Sequence, residues 1–148
     1  MKKNILAFQT RSLLRNQKRS ASLGYHRAQR VAVLVNADLN WKGLDDFLKV
    51  LESDHKEIHV MHFCKTEQAP TKEHLYFSPF DFSIFGKIKS EELLEFVKPD
   101  FDYLFVVAKS SSTFIDFVAM KINATTNIGF VYEEGNEIAD LQVKPDHE

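Results

Sequence analysis

Phe101-Asp102-Tyr103-Leu104-Phe105-Val106-Val107-Ala108-Lys109-Ser110-Ser111-Ser112-Thr113-Phe114 sets the architecture of this chain. Tyr103 to Ala108 is a short, nearly continuous apolar run rich in β-branched and aromatic residues. Such a run reads as a strand buried on both faces of a parallel sheet. It stops at the polar cluster Lys109 to Thr113, and an apolar pattern at helical spacing begins at Phe114. Strand, loop and helix in that order are the unit of open α/β sheets, whose ligands bind beyond the carboxyl ends of the strands.

Outward from this unit, the same grammar repeats. Arg30 to Val35 (RVAVLV) predicts a first strand, closed by Asn36-Ala37-Asp38. Asn40 is placed to cap a helix from Trp41 to about Ser53, with Leu44, Phe47, Leu48 and Leu51 on one face. Glu57 to Phe63 predicts a second strand, which makes a right-handed crossover unit with the first. Ser90 caps a short helix from Glu91 to Val97, and Pro99 stops it. Beyond the central strand, Thr113 to Ile122 predicts a helix, Asn127 to Tyr132 a further strand, and Ala139 to Val143 a short edge strand. The expected fold is a three-layer α/β domain, Rossmann-like or flavodoxin-like, with a mostly parallel sheet of four or five strands. A basic N-terminal helix precedes it, so that residues 1–29 form helix and linker and 30–148 a single α/β domain.

With 148 residues, 44% hydrophobic and 27% charged, the chain has the size and balance of one globular domain. Cys64 is the only cysteine, which excludes an intrachain disulfide and a multi-cysteine metal site and suits a reducing compartment. No apolar run approaches the roughly 18–20 residues of a membrane span, and the start lacks the apolar core of a secretory signal. The net charge of −2 hides a split. The first 37 residues hold eight Lys and Arg and no acid; the remainder holds eleven Lys and all twenty-one acids. All five arginines fall between Arg11 and Arg30.

Asn4 to about Ser22 predicts a helix with Arg11, Arg15, Lys18 and Arg19 on one face and Leu6, Leu13 and Leu14 opposite. Three readings stay open: a docked helix with a solvated basic face, a basic helix on an anionic membrane or nucleic acid, and a transit peptide. Lys65 to Lys89 is irregular and crowded with rings. Within it, the segment 76–85 holds Tyr76, Phe77, Phe80, Phe82 and Phe85, which either fill the core and cover a sheet edge or form a protein-binding patch.

Lys109, Ser110, Ser111, Ser112 and Thr113 precede a helix N-terminus, where free N–H groups attract anions. The loop lacks glycine, so it is neither a Walker-type loop nor a dinucleotide fingerprint, and Ser and Thr are also ordinary caps. Asn36, Asp38, Cys64, Lys65, Glu133 and Glu134 lie at other strand ends of the same crevice. A phosphorylated ligand there would draw on Asn36, the 109–113 loop and Glu133. His59 and His62 point to opposite faces of a strand, and no HExxH or GxSxG is present, so no metal, no cofactor and no catalytic set is expected.

The series Asp81-Phe82-Ser83-Ile84-Phe85-Gly86-Lys87, Phe101-Asp102-Tyr103-Leu104, Ala124 to Gly129 and Ala139-Asp140-Leu141 resembles an uncharacterised domain-of-unknown-function family. Its members are small α/β proteins with a basic N-terminal helix, found mainly in Bacteroidota. The resemblance implies a cytoplasmic bacterial protein, speaks against the transit peptide and carries no catalytic residues. The leading expectation is a non-catalytic cytoplasmic interaction or binding module, through the basic helix or the Phe-rich segment. The alternatives are an enzyme or sensor for a phosphorylated ligand, and membrane or nucleic-acid association.

Overall fold

The computed structural model describes residues 2–15, 24–66 and 74–144. In chain order the elements are α1 (Lys2–Arg15), β1 (Arg30–Asn36), α2 (Leu44–Ser53), β2 (Glu57–Phe63), β3 (Tyr76–Phe77), α3 (Glu91–Val97), β4 (Asp100–Val107), α4 (Thr113–Lys121), β5 (Asn123–Phe130) and β6 (Leu141–Val143). The six strands form one sheet in the order β3-β2-β1-β4-β5-β6, and every ladder is parallel. That is the Rossmann order, reversing direction between β1 and β4.

β1 shows why the sheet is central. Ala32 and Leu34 face a core shared with Leu6 of α1, Leu93 and Phe96 of α3, and Phe114, Phe117 and Val118 of α4. Val31, Val33 and Val35 face the other core, closed by Leu51, Leu48 and Phe47 of α2. Alternate side chains of a strand thus fill two separate layers, and a run that is apolar at every position is what this requires. Two crossovers, running in opposite directions from β1 and from β4, put α2 and α4 on opposite faces.

The fold class expected from the sequence holds, with corrections in detail. The sheet has six strands rather than four or five, because Tyr76–Phe77 adds β3 beside His62 and Phe63 of β2. Two residues carry no periodicity, and only the pairing identifies them as a strand. β5 begins at Asn123 and ends at Phe130, four residues before and two residues short of expectation. Its polar start is held by the Asn123 amide, which donates to Asp100 Oδ1 at 2.7 Å. β6 is trimmed to Leu141–Val143, since Ala139 is taken into the turn before it. The helix expected from Trp41 begins at Leu44, behind Gly43 rather than Asn40. The Trp41 indole N–H donates to the Asn36 carbonyl at 2.8 Å and its ring stacks on Phe130, which draws residues 37–43 across the strand ends before a helix can start. Ser90 does cap α3, its hydroxyl accepting from the Leu93 N–H at 3.3 Å.

The basic helix docks. Leu6 is fully buried against α4, and Thr10 returns its hydroxyl to the Leu6 carbonyl at 2.8 Å. Lys2 donates to the Pro79 carbonyl at 2.8 Å. Gly86, at φ 77°, lies so close to α1 that a Cβ there would sit 2.9 Å from Ile5 Cγ2. The expected extension of this helix to Ser22, with Lys18 and Arg19, falls outside the described residues.

Candidate functional site

Beyond the carboxyl ends of β4 and β5 lies a cavity of about 320 Å³. It is one strand removed from the reversal between β1 and β4. Three segments wall it: Thr10 and Arg11 from α1, Ser111, Thr113 and Asp116 from the entry to α4, and Tyr132 with residues 134–138 from the connection between β5 and β6.

Asp116 is the chemical centre of this wall. It is the one acid in an otherwise apolar turn, Phe114-Ile115-Asp116-Phe117-Val118, and all four flanking side chains are buried. Its Oδ2 accepts from the Ser111 hydroxyl at 2.5 Å, and its carboxylate also accepts from the Ser112 N–H. Burial pushes its carboxyl up to about 6 from 3.8. The Ser111 and Ser112 bonds oppose that rise, and the charges of Glu134 and Glu137 add to it. Glu134 behaves in the opposite way: the Ser111 N–H, donating to Oε1 at 2.7 Å, helps hold this exposed carboxyl below its usual range. Burial, with the nearby charges of Asp116 and Glu134, pushes the Tyr132 phenol up to about 12.

The connection that carries Glu134 and Glu137 is fixed by Asn136. Its amide donates to the Phe130 carbonyl at 2.9 Å, and its Oδ1 accepts from the N–H groups of Ile138 and Ala139, both at 3.2 Å. Gly129 leaves the room for it, because a Cβ there would stand 2.9 Å from the Asn136 amide nitrogen. Gly129→Ala is expected to cost about 1–2 kcal/mol, since the neighbour is pinned by three bonds and cannot yield freely. Urea unfolding measures it, and a neutral outcome would show that Asn136 repacks.

The residues singled out in the sequence divide between two faces. Ser111, Thr113, Arg11 and Glu134 come together at the cavity. Ser112 supplies the carbonyl that accepts the Asp116 N–H at 2.8 Å, while Ser110 and Glu133 are exposed and do not line the cavity. Lys109 turns to the other face, its ammonium 5.8 Å from the Trp41 ring centre, beside an apolar groove of about 330 Å³ between α2 and β4–β6. Asn36 is spent locally: its Oδ1 accepts the Asp38 N–H at 3.1 Å. Asp38 Oδ1 in turn accepts the Lys65 N–H at 3.3 Å. Cys64 is buried, with its sulfur 3.3 Å from the Thr66 hydroxyl. Arg15 is the last residue of α1. Among the described residues no three His, Cys, Asp or Glu side chains are grouped to hold a metal ion.

Asp116, Tyr132, Asn136 and Glu137 were not legible as site residues. The available signal was the lone acid inside the apolar pattern of α4.

A second surface lies where α1 crosses the Phe-rich segment. A groove of about 620 Å³ runs between α1, residues 86–88 and α3, lined by Phe8, Leu13, Ile88, Leu94, Val97 and Phe117 and flanked by Lys87 and Lys121. Phe8 is 66% exposed and Leu94 45%, and Ile84 and Phe85, just before the groove, are 58% and 69% exposed.

One family model matches the chain, over residues 2–148. The chain belongs to DUF6913, a family of unknown function. The expected membership in a domain-of-unknown-function family therefore holds, and it spans the basic helix as well as the sheet. No curated protein and no solved structure matches the chain. DUF6913 brings no residue roles with it, and the two surfaces are the features of this chain that bear on function.

Proposed function

We propose that this DUF6913 chain is a non-catalytic interaction module of the bacterial cytoplasm. It seats an apolar, acid-flanked peptide segment of a partner protein in the groove between α1 and α3. The observation that carries this reading is the exposure of Phe8 and Leu94 on the walls of an open groove, with Lys87 and Lys121 at its sides. Large apolar side chains that stay in water around a concavity mark interaction surfaces, and two flanking ammonium groups select an acidic partner. Ile84 and Phe85 extend the same apolar surface along the Phe-rich segment. No helix among the described residues is long and apolar enough to cross a membrane.

The groove is better supported than a phosphate site at residues 109–113. The Ser111 N–H that would meet a phosphate donates to Glu134, and Lys109 lies over Trp41 instead. A phosphate entering beside Ser111 would also face Asp116, Glu134 and Glu137.

The test is selection of displayed random peptides on the full chain, followed by titration of the recovered peptides. Expected winners are apolar with Asp or Glu at the flanks, and a Phe8→Asp, Leu94→Asp double variant binds them at least ~10-fold more weakly. Both side chains are exposed, so the variant keeps its melting temperature to within a few degrees. Recovered peptides that bind the variant equally well would overturn the reading. Binding of anionic vesicles or single-stranded RNA that survives both substitutions would shift the role to the basic helix.

A further inference from the structure

The acidic cavity is separate from the groove and calls for a different occupant. Asp116, Glu134 and Glu137 stand on its walls together with Arg11, yet among the described residues no cationic side chain pairs with any of the three carboxylates. Three negative charges against one positive leave the space electrically unbalanced. The half-buried Asp116 carries the cost of that imbalance, because only a hydroxyl and an N–H compensate its lost hydration.

Tyr132 supplies a second and independent sign. It is only 5% exposed and lines the cavity, with its phenol in electrostatic reach of Asp116 and Glu134. Its hydroxyl has no hydrogen-bond partner among the described residues. The ring is buried while its hydroxyl is left open to the cavity, where water or a ligand can bond to it. A hydroxyl facing a cavity beside carboxylates is an acceptor and donor waiting for a ligand.

The chemistry of that ligand follows by comparing candidates. An anion is repelled by the carboxylates, and the loop N–H of Ser111 is already engaged. A bare metal ion needs several ligands within one coordination sphere, which the carboxylates do not form. An organic cation with several N–H donors can reach acceptors that are spread over the walls. Ammonium carries three donors and guanidinium five. A cavity of about 320 Å³ is at the small end of ligand pockets. Ala7 and Ile138 offer apolar wall for a short alkyl chain.

We propose that the cavity binds a small alkylammonium or alkylguanidinium group, paired with Asp116 and Glu134 and hydrogen-bonded to the Tyr132 hydroxyl. The same group could belong to a free amine or to a Lys or Arg side chain. Ionised Asp116 is the partner, so affinity rises with pH through the region of about 6 where it titrates. Arg11, Glu134, Glu137 and Tyr132 are the other titratable groups facing it.

The test is calorimetric titration of the full chain with n-butylamine, 1,4-diaminobutane, agmatine and Nα-acetyl-lysine amide. Choline and inorganic phosphate serve as controls, the first cationic without N–H donors. At least one amine is expected to bind while choline and phosphate do not. Asp116→Asn should weaken that amine roughly tenfold or more, and Tyr132→Phe several-fold with the ring packing retained. Stronger binding of the lysine mimic than of every free amine would assign the site to a side chain of a partner, and the reverse to a metabolite; either supports the proposal. Absence of binding by all four amines, equal binding of choline, or amine binding unchanged in both variants would overturn it. The outcome is independent of the peptide groove, since the Phe8→Asp, Leu94→Asp variant should lose peptides and keep amines.

Discussion

Phe82→Ala is expected to destabilise the protein by about 3–5 kcal/mol, the range for removing a fully buried phenylalanine ring. Phe82 is 1% exposed, although it lies in a segment without an α-helix. Its ring meets Phe77 of β3 at 6.2 Å and Phe114 and Phe117 of α4 at 5.4 and 5.8 Å, centre to centre. The backbone is prepared for this placement. Ser78 and Asp81 form a reciprocal capping box around one 3₁₀ turn, Pro79–Asp81, which delivers Phe82 to the core. Phe82 then bridges to Ile88, closing the loop that presses on α1. Nothing beside it can collapse into the space, because the surrounding rings are themselves held by helix and strand. Phe85→Ala, three residues on at 69% exposure, should change stability by no more than about 0.5 kcal/mol. Urea unfolding of the two variants is the measurement. Equal costs would mean that the segment is a surface feature and that its rings do not support the sheet.

That contrast shows why the Phe-rich segment resisted reading. Five rings at irregular spacing offered core and partner surface as rival explanations, and the structure divides them between core and exposed surface. Phe77 and Phe82 are buried, while Phe80 and Phe85 are exposed. Only contacts from distant elements sort them. By contrast, β1 and β4 were legible because a strand buried on two faces must be apolar at nearly every position, which needs no knowledge of its neighbours. The Ser90 cap was legible for the same local reason. The start of α2 was not, since it depends on Trp41 reaching Phe130 nearly ninety residues away.

The site failed to show itself through the same kind of distance. Residues 109–113 read either as ordinary helix caps or as an anion loop, because a helix N-terminus offers N–H groups. Two of those donors are in fact taken by carboxylates of the protein, one from Glu134 across the cavity and one from Asp116 a turn into the helix. The loop does stand at a cavity wall, through Ser111 and Thr113. The sign of the charge it presents was set by a segment outside its reach. The basic N-terminus also gains a partial account here. Arg11 stands on a wall of this acidic cavity, so the split in charge along the sequence becomes a juxtaposition in space.

Asp116→Asn is expected to stabilise the protein at neutral pH, by about 2–3 kcal/mol at most. The carboxyl stands at about 6 in the folded protein against 3.8 unfolded, and each unit is worth about 1.4 kcal/mol. The sign follows from proton binding. Between those two values the folded state holds more protons at this group than the unfolded chain does. Stability from this site therefore falls as pH rises from about 4 to about 6, and the full cost is present above that window. Asparagine carries no charge to desolvate and can still accept from Ser111. It offers one acceptor oxygen where the carboxylate has two, which is why the figure is a ceiling. The gap between variant and wild type should thus be widest at pH 7 and close as the pH drops toward 4. Thermal melts across that range measure it. A gap independent of pH would assign the stabilisation to packing instead, and a destabilised variant would mean that the carboxylate is a structural anchor of the α4 entry. A raised carboxyl on a cavity wall is consistent with the binding role proposed above. The same substitution should then raise stability and lower amine affinity together, and a merely structural acid could not do both.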